Sequence, residues 1–282
     1  MHIEKIYSRN ATYQKFEVLK SNRQKRHKYQ QFFVEGVRNI NEAIRNHWVI
    51  CSFIYSSNPT LSHWANGVLA ATKTDINYVL TPELMAELSS KTDTSELLAI
   101  VQMRDDVFDS LKVTKDSTYV LFDRPSNKGN LGTIIRSCDS FGIQGLIICG
   151  HAVDYYDPDV IAATMGSFFS VPVVRVSELE PLYRFIDHLK TLYPCCKMIG
   201  TTAHKEKSIQ DIPLSTPIIL MLGNETDGLN RTFTELCDVM ATIPMSENSS
   251  ASSLNVACAA TVLMYEVERQ RLTGLATTLE NS

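Results

Sequence analysis

Three polar segments in the C-terminal half of this 282-residue chain combine residue types able to hold and act on a ligand. The first, RPSNKGNLGTIIR, ends at Arg136; Pro125, Gly129 and Gly132 shape a loop, and Asn130 opens a helix that carries Arg136 two turns on. The second, LGNETDGLN, runs from Leu222 through Gly223, Asn224 and Glu225 to Asn230, and its glycines let backbone approach a ligand closely because they lack a Cβ. The third, IPMSENSSASSLN, runs from Ile243 to Asn255 and leads into the final helix. Each segment taken singly is also what a capped strand-to-helix turn looks like. The spacing G-N-x-G departs from G-x-G-x-x-G, and G-x-x-x-x-G-K-[ST] is missing, so neither a dinucleotide fingerprint nor a phosphate-cradling nucleotide loop is expected.

The surrounding pattern supplies elements to position these loops. Near-continuous apolar runs at TYVLFD, GLIICG, VPVVRV, KMIGTT and PIILML alternate with helical stretches at NLGTIIRSCDSF, DPDVIAATMGSFF and LYRFIDHLKTL. Strands buried on both faces and separated by helices predict a parallel sheet, with ligand sites at the strands' C-terminal ends. The long segment LNVACAATVLMYEVERQRL predicts a closing helix over 254–272. Upstream, strands at FFVEG, VICSFIYS, INYVL and LLAIVQM accompany a basic helix over 14–28, a helix at VRNINEAIRN, and TPELMAELS, which has Thr81 as N-cap and Pro82 at the first helical position. The expected fold is therefore α/β: a smaller domain over 1–106, a charged linker over 107–116 and a parallel-sheet domain over 117–282.

Bulk properties narrow the function classes. A hydrophobic fraction of 44% with 21% charged residues is ordinary for a globular protein. No apolar run is long enough to span a bilayer, so no membrane partner is expected. Seven scattered cysteines without C-x-x-C, and seven histidines without H-x-x-x-H or H-E-x-x-H, predict reduced cytoplasmic thiols and no metal site. Cys138, Cys149 and Cys258 read as core residues in apolar helix or strand contexts. The net charge of −4 gives no support to nucleic-acid binding, but its distribution does: between Lys5 and Lys28 stand eight basic residues against Glu17 alone. Arg9, Lys15, Lys20, Arg23, Lys25 and Arg26 are the candidate phosphate contacts, with a solvated helix face as the plain alternative.

Taken together and in order, N-x-G-x-x-x-R (Asn130–Arg136), G-N-E-x-x-G-L (Gly223–Leu229), and I-P-M (Ile243–Met245) followed by S-L-N-V (Ser253–Val256) resemble the three motifs of SpoU (TrmH-type, SPOUT superfamily) RNA 2′-O-ribose methyltransferases. The resemblance spans about residues 117 to 272. The first hundred residues resemble the ribosomal-protein-like substrate-binding domain that precedes many such enzymes, through S-R-N, the basic helix and F-x-V-E-G. The resemblance implies a deep trefoil knot, a homodimer, rRNA processing as the setting, and S-adenosylmethionine as cofactor. Leu222, Gly223, Ile243, Met245, Leu254 and Asn255 would line its pocket. Asn130, Arg136, Glu225, Ser253 and Asn255 match catalytic positions.

A guanidinium is effectively never deprotonated, so Arg136 suits phosphate binding or alkoxide stabilisation better than proton abstraction. Glu225 could equally satisfy loop N–H groups. The Ser246–Ser252 loop is longer than in the family and lacks its glycine, which keeps open a second reading: a catalytically silent RNA-binding or ribosome-assembly protein on the same fold. The two-domain build leans toward large-subunit ribosomal RNA, with transfer RNA as the alternative.

Overall fold

The computed structural model describes residues 2–204, 206–214 and 217–280; positions 1, 205, 215, 216, 281 and 282 of the expected domains lie outside them. The chain folds as β1 (His2–Ile6), α1 (Ala11–Ser21), α2 (Arg23–Tyr29), β2 (Gln31–Glu35), α3 (Val37–Arg45), β3 (Ile50–Ser56), α4 (His63–Ala71), β4 (Ile76–Leu80), α5 (Pro82–Leu88) and β5 (Leu97–Gln102). It continues with β6 (Thr118–Asp123), α6 (Lys128–Ser140), β7 (Gly145–Cys149), α7 (Pro158–Thr164), β8 (Val173–Val176) and α8 (Leu179–Leu192). The remainder is β9 (Lys197–Thr201), β10 (Lys207–Ser208), β11 (Ile218–Leu222), α9 (Arg231–Leu236), β12 (Val239–Thr242) and α10 (Val256–Glu280).

The chain forms two compact units, Met1–Asp105 with Asp154–Ser170, and Asp106–Val153 with Val171–Ser282. Among the described residues the first unit has a five-stranded sheet ordered β1-β4-β3-β5-β2, in which β5 runs antiparallel to β2 and β3. The apolar residues of β2, β3 and β5 are buried, and α1 covers one face with Tyr13, Phe16 and Leu19. The single helix expected over 14–28 is two helices. Asn22 has extended backbone (φ −123°) at the junction, where it ends α1 and its side chain accepts from Lys25 N–H as the N-cap of α2.

Within the first unit, the segment after Asp154 fills a gap that the first 105 residues leave open. Phe168 and Phe169 pack with Phe32 and Trp48, their ring centroids 5.1–6.4 Å apart, and Trp48 Nε1 donates to Phe169 O at 3.0 Å. The buried Arg26 guanidinium donates to Asp154 at 2.8 Å and to Asp157 at 3.3 Å. DPDVIAATMGSFF is thus a helix as expected (α7 and the turn after it), but it packs with the first unit rather than the second.

Among the described residues the second unit carries a seven-stranded sheet ordered β10-β12-β9-β11-β6-β7-β8, parallel at every pairing. Every residue of β6, β7 and β11 is buried, as two covered faces require. The stretch expected to be a linker packs into this unit: Phe108 stacks on Phe185 at 4.8 Å, Leu111 is buried, and Tyr119 Oη donates to Lys112 O at 2.6 Å. Helices α6 and α10 lie against each other, joined by Ser137 Oγ and Thr261 Oγ1 at 2.7 Å. Strands β1, β10 and β12 and helices α4 and α9 are additions to what the sequence pattern predicts.

Candidate active site

The C-terminal ends of β9, β11 and β12 surround a cavity of about 520 Å³ within the second unit. Gly223 follows β11 and turns the chain into a tight loop closed by Asn224 and Gly228, whose backbones exchange hydrogen bonds at 3.0 Å. The turn brings Leu229 back so closely that a Cβ on Gly223 would stand 2.1 Å from its backbone nitrogen. Glycine is obligatory there for steric reasons. Ile243 and Met245 follow β12, and Ser253 and Leu254 precede α10; all four contribute to the cavity wall.

Glu225 lies in the same loop and spans to the start of α6. Its carboxylate accepts from Ser126 N–H (3.2 Å), Ser126 Oγ (2.7 Å), Asn127 N–H (3.2 Å) and Asn130 Nδ2 (3.3 Å). Burial opposes its ionisation, but the hydrogen bonds from Ser126 and Asn130 outweigh that and hold its pKa below the ordinary carboxylate range. It is therefore a fixed anion at a helix N-terminus, where the dipole also favours negative charge. Asn130 Oδ1 in turn accepts from Asn255 Nδ2 at 3.1 Å, and Asn255 Oδ1 caps α10 by accepting from Ala257 N–H at 2.9 Å. One chain of side chains, Glu225–Asn130–Asn255, thus ties all three polar segments together.

Of the residues expected to hold cofactor, Gly223, Ile243, Met245 and Leu254 are on the cavity wall, while Leu222 is buried in β11 and Asn255 stands at the head of α10, off the wall. Of the expected catalytic set, Glu225 and Ser253 line the cavity and Asn130 and Asn255 join through Glu225. Arg136 does not join them: its side chain is exposed on α6 and, among the described residues, makes no hydrogen bond or ion pair. The Ser246–Ser252 loop is exposed throughout, with a turn closed from Ser249 N–H to Ser246 O at 3.0 Å.

Sequence reasoning passed over Thr201, Thr202, Ala203 and His204, which line the cavity after β9. Their signal was position alone, the C-terminal end of a parallel strand. The wall carries the carboxylates Glu225 and Asp227 and, among its described residues, neither lysine nor arginine. With the apolar Met240, Ile243, Leu254 and Leu263 beside them, this lining suits a ligand with positive charge and a flat apolar body, and is unsuited to a polyphosphate.

The basic face of the first unit is more engaged than its sequence suggests. Arg26 is 1% exposed and held by two carboxylates and the carbonyls of Leu19 and Lys20, so it is not a phosphate contact but a buried structural cation. Arg9 is exposed but paired with Glu87 at 2.8 Å, Lys20 donates to Leu88 O at 2.8 Å, and Lys15 lies over the Tyr29 ring at 5.0 Å. Arg23 and Lys25 are half-buried on α2. Among the cysteines, Cys138 and Cys149 are buried and their thiols are pushed up by burial, Cys149 to about 12, whereas Cys258 is exposed on α10 rather than in the core. Among the described residues no group of His, Cys, Asp or Glu could hold a metal ion, and no helix is long and apolar enough to cross a membrane.

Comparison with known proteins agrees with this geometry. Residues 117–265 match the SpoU rRNA Methylase family and residues 10–99 the SpoU L30e-like domain. The chain is 39% identical over 275 residues to a 23S rRNA (uridine(2479)-2′-O)-methyltransferase of Streptomyces viridochromogenes, covering 97% of this chain and 95% of that one. It is 25% identical over 246 residues to the 23S rRNA (guanosine(2553)-2′-O)-methyltransferase RlmP of Bacillus subtilis, with 87% and 91% covered. Among solved structures, the SpoU methyltransferase AviRb from Streptomyces viridochromogenes, in complex with the cofactor AdoMet, superimposes with a TM-score of 0.88 at 39% identity, covering 94% of this chain and 99% of that one.

Proposed function

The chain belongs to the SpoU rRNA methylase family, and we propose that it methylates a ribose 2′-hydroxyl of ribosomal RNA with S-adenosylmethionine held in the cavity at Gly223. The observation that carries this reading is the Glu225–Asn130–Asn255 chain, which joins three loops distant in sequence at the rim of a cavity suited to a cationic cofactor. When bound, S-adenosylmethionine supplies an activated methyl group and its leaving group.

The protein's own residues position the acceptor. Gly223, Ile243, Met245 and Leu254 would enclose the cofactor through backbone groups and apolar side chains. Glu225 stays ionised and holds the cofactor loop against α6, so its work is positional. Asn130, Ser253 and Asn255 supply polar contacts to the ribose. Arg136 binds the phosphate beside the target hydroxyl and stabilises the developing alkoxide.

An exposed Arg136, unpartnered among the described residues, is best used by a second copy of this chain. Cys258, Val262 and Tyr265 recur at helical spacing on α10 and are exposed, Val262 and Tyr265 by 41% and 55%, which supports a homodimer through this helix. The knotted topology and a cytoplasmic setting are part of the same proposal. Basic residues of the first unit, the exposed Arg9 and the half-buried Lys15, Arg23 and Lys25, would steer structured RNA.

Labelled S-adenosylmethionine with ribosomal RNA tests the reading. Wild type is expected to transfer label to a ribose 2′-oxygen, and Arg136→Ala to lose about a hundredfold in rate with its fold intact. Absence of label from the wild type would favour the silent RNA-binding reading.

A further inference from the structure

Arg124 immediately follows β6 and adopts φ +50°, a left-handed conformation uncommon for a side-chain-bearing residue. Its side chain explains why the conformation is held. The guanidinium donates through Nε to both oxygens of Asp123 (3.1 Å each) and through Nη2 to Asp123 (3.0 Å) and Gly228 O (3.1 Å). It also reaches Asp227 at 3.4 Å. Asp123 is fully buried and accepts Asn230 N–H at 2.9 Å as well. On the main chain, Arg124 O accepts from Asn224 Nδ2 at 2.7 Å.

One residue thus grips both ends of the loop 224–228, Asn224 with its carbonyl and Asp227 and Gly228 with its guanidinium. Glu225 lies between the two grips, and its carboxylate lands on Ser126, two residues beyond Arg124. The path of the arginine is itself built in: a Cβ on Gly150 would stand 2.7 Å from Arg124 Cγ. We propose that Arg124 is a positioning residue for methyl transfer, clamping the 224–228 loop so that the cofactor wall and the Glu225 anchor keep their register. The inference rests on the methyltransferase reading for its kinetic consequence, but not for its structural one.

The test is hydrogen exchange across 222–230 in the full-length protein, together with steady-state kinetics in S-adenosylmethionine. Arg124→Ala is expected to speed exchange of the Asn224 and Gly228 amides about tenfold or more while those of 118–123 stay protected. KM for S-adenosylmethionine is expected to rise about tenfold, with kcat within about threefold of wild type, because charge-assisted hydrogen bonds of this kind are worth at least that factor. If the orphaned Asp123 carboxylate prevents folding, Asp123→Asn with Arg124→Ala removes that charge and is read in the same way. A folded variant whose loop exchange and KM both stay within twofold of wild type overturns the clamp. A wild type that neither binds S-adenosylmethionine nor methylates RNA overturns the functional reading instead, and leaves the exchange result to decide the clamp alone.

Discussion

Asn255 Nδ2 donates to Asn130 Oδ1 at 3.1 Å, joining the head of α10 to the first turn of α6 across 125 residues of sequence. Asn255 does two separable things, since its Oδ1 caps α10 while its Nδ2 makes this contact. Asn255→Ala should lose both: about 1 kcal/mol of stability from the cap, and about tenfold or more in kcat/KM from the displaced Asn130. Asn255→Asp should keep the cap and the stability but lose the activity. Thermal melts beside methylation kinetics measure the split, and equal activity in Asn255→Asp and wild type would refute it.

Glu225 yields a prediction with a definite sign. Its folded pKa lies below the ordinary value, so the stabilisation is present above the unfolded carboxylate pKa and disappears as pH falls through the folded one. Wild type and Glu225→Gln should therefore differ by a constant stability at neutral pH, and the gap should close below about pH 4. The kinetic pH profile above about pH 6 should keep its shape in Glu225→Gln, because the carboxylate is already ionised there. An inflection lost from that profile would instead mark Glu225 as a proton acceptor.

Two glycines should respond oppositely to the same substitution. Gly223→Ala presses a methyl group against the Leu229 backbone, which cannot yield as a flexible side chain would; a loss of about 1–3 kcal/mol and of measurable cofactor binding is expected. Gly67, exposed within α4 with nothing inside 4 Å of its Cβ position, should gain about 0.5–1 kcal/mol as alanine. Chemical denaturation of both variants, with calorimetry for the first, distinguishes crowding from helix propensity.

Arg26→Ala strips two carboxylates of their buried partner and should cost about 3–5 kcal/mol in denaturant titration. The salt dependence of RNA binding should be unchanged in whatever fraction remains folded. Arg23→Ala and Lys25→Ala should instead flatten the slope of log affinity against log salt by about one phosphate contact each if α2 faces RNA.

The contrast between these basic residues explains what could be read from the sequence and what could not. The site was legible because its parts are short, contiguous and placed at strand ends: Gly223 to Glu225 follows β11, and Asn130 lies in the first turn of α6, two residues after the helix start at Lys128. The parallel sheet was legible because β11 is apolar throughout, β7 is apolar after Gly145, and β6 is apolar between Thr118 and Asp123. Arg26 was not, since a buried arginine in a basic run is identical in type to its solvated neighbours. Its partners lie 128 and 131 residues away. Asn22 stands among the polar residues Lys20, Ser21, Arg23 and Gln24, so nothing in residue type set apart the cap at which α1 gives way to α2. Thr201 to His204 had only their location to mark them.

The packing of Asp154–Ser170 with the first unit bears on how this protein can be divided. Although the two family matches lie side by side along the chain, the first 105 residues are not a portable cassette. Excised, they would present Phe32 and Trp48 without Phe168 and Phe169, and would leave the Arg26 guanidinium without the carboxylates of Asp154 and Asp157. A graft that moves the first unit into another methyltransferase must bring a second piece of chain from beyond β7, or redesign the face that piece covers. Recombination at the apparent boundary is thereby constrained, and the first 105 residues and the segment Asp154–Ser170 are expected to change together.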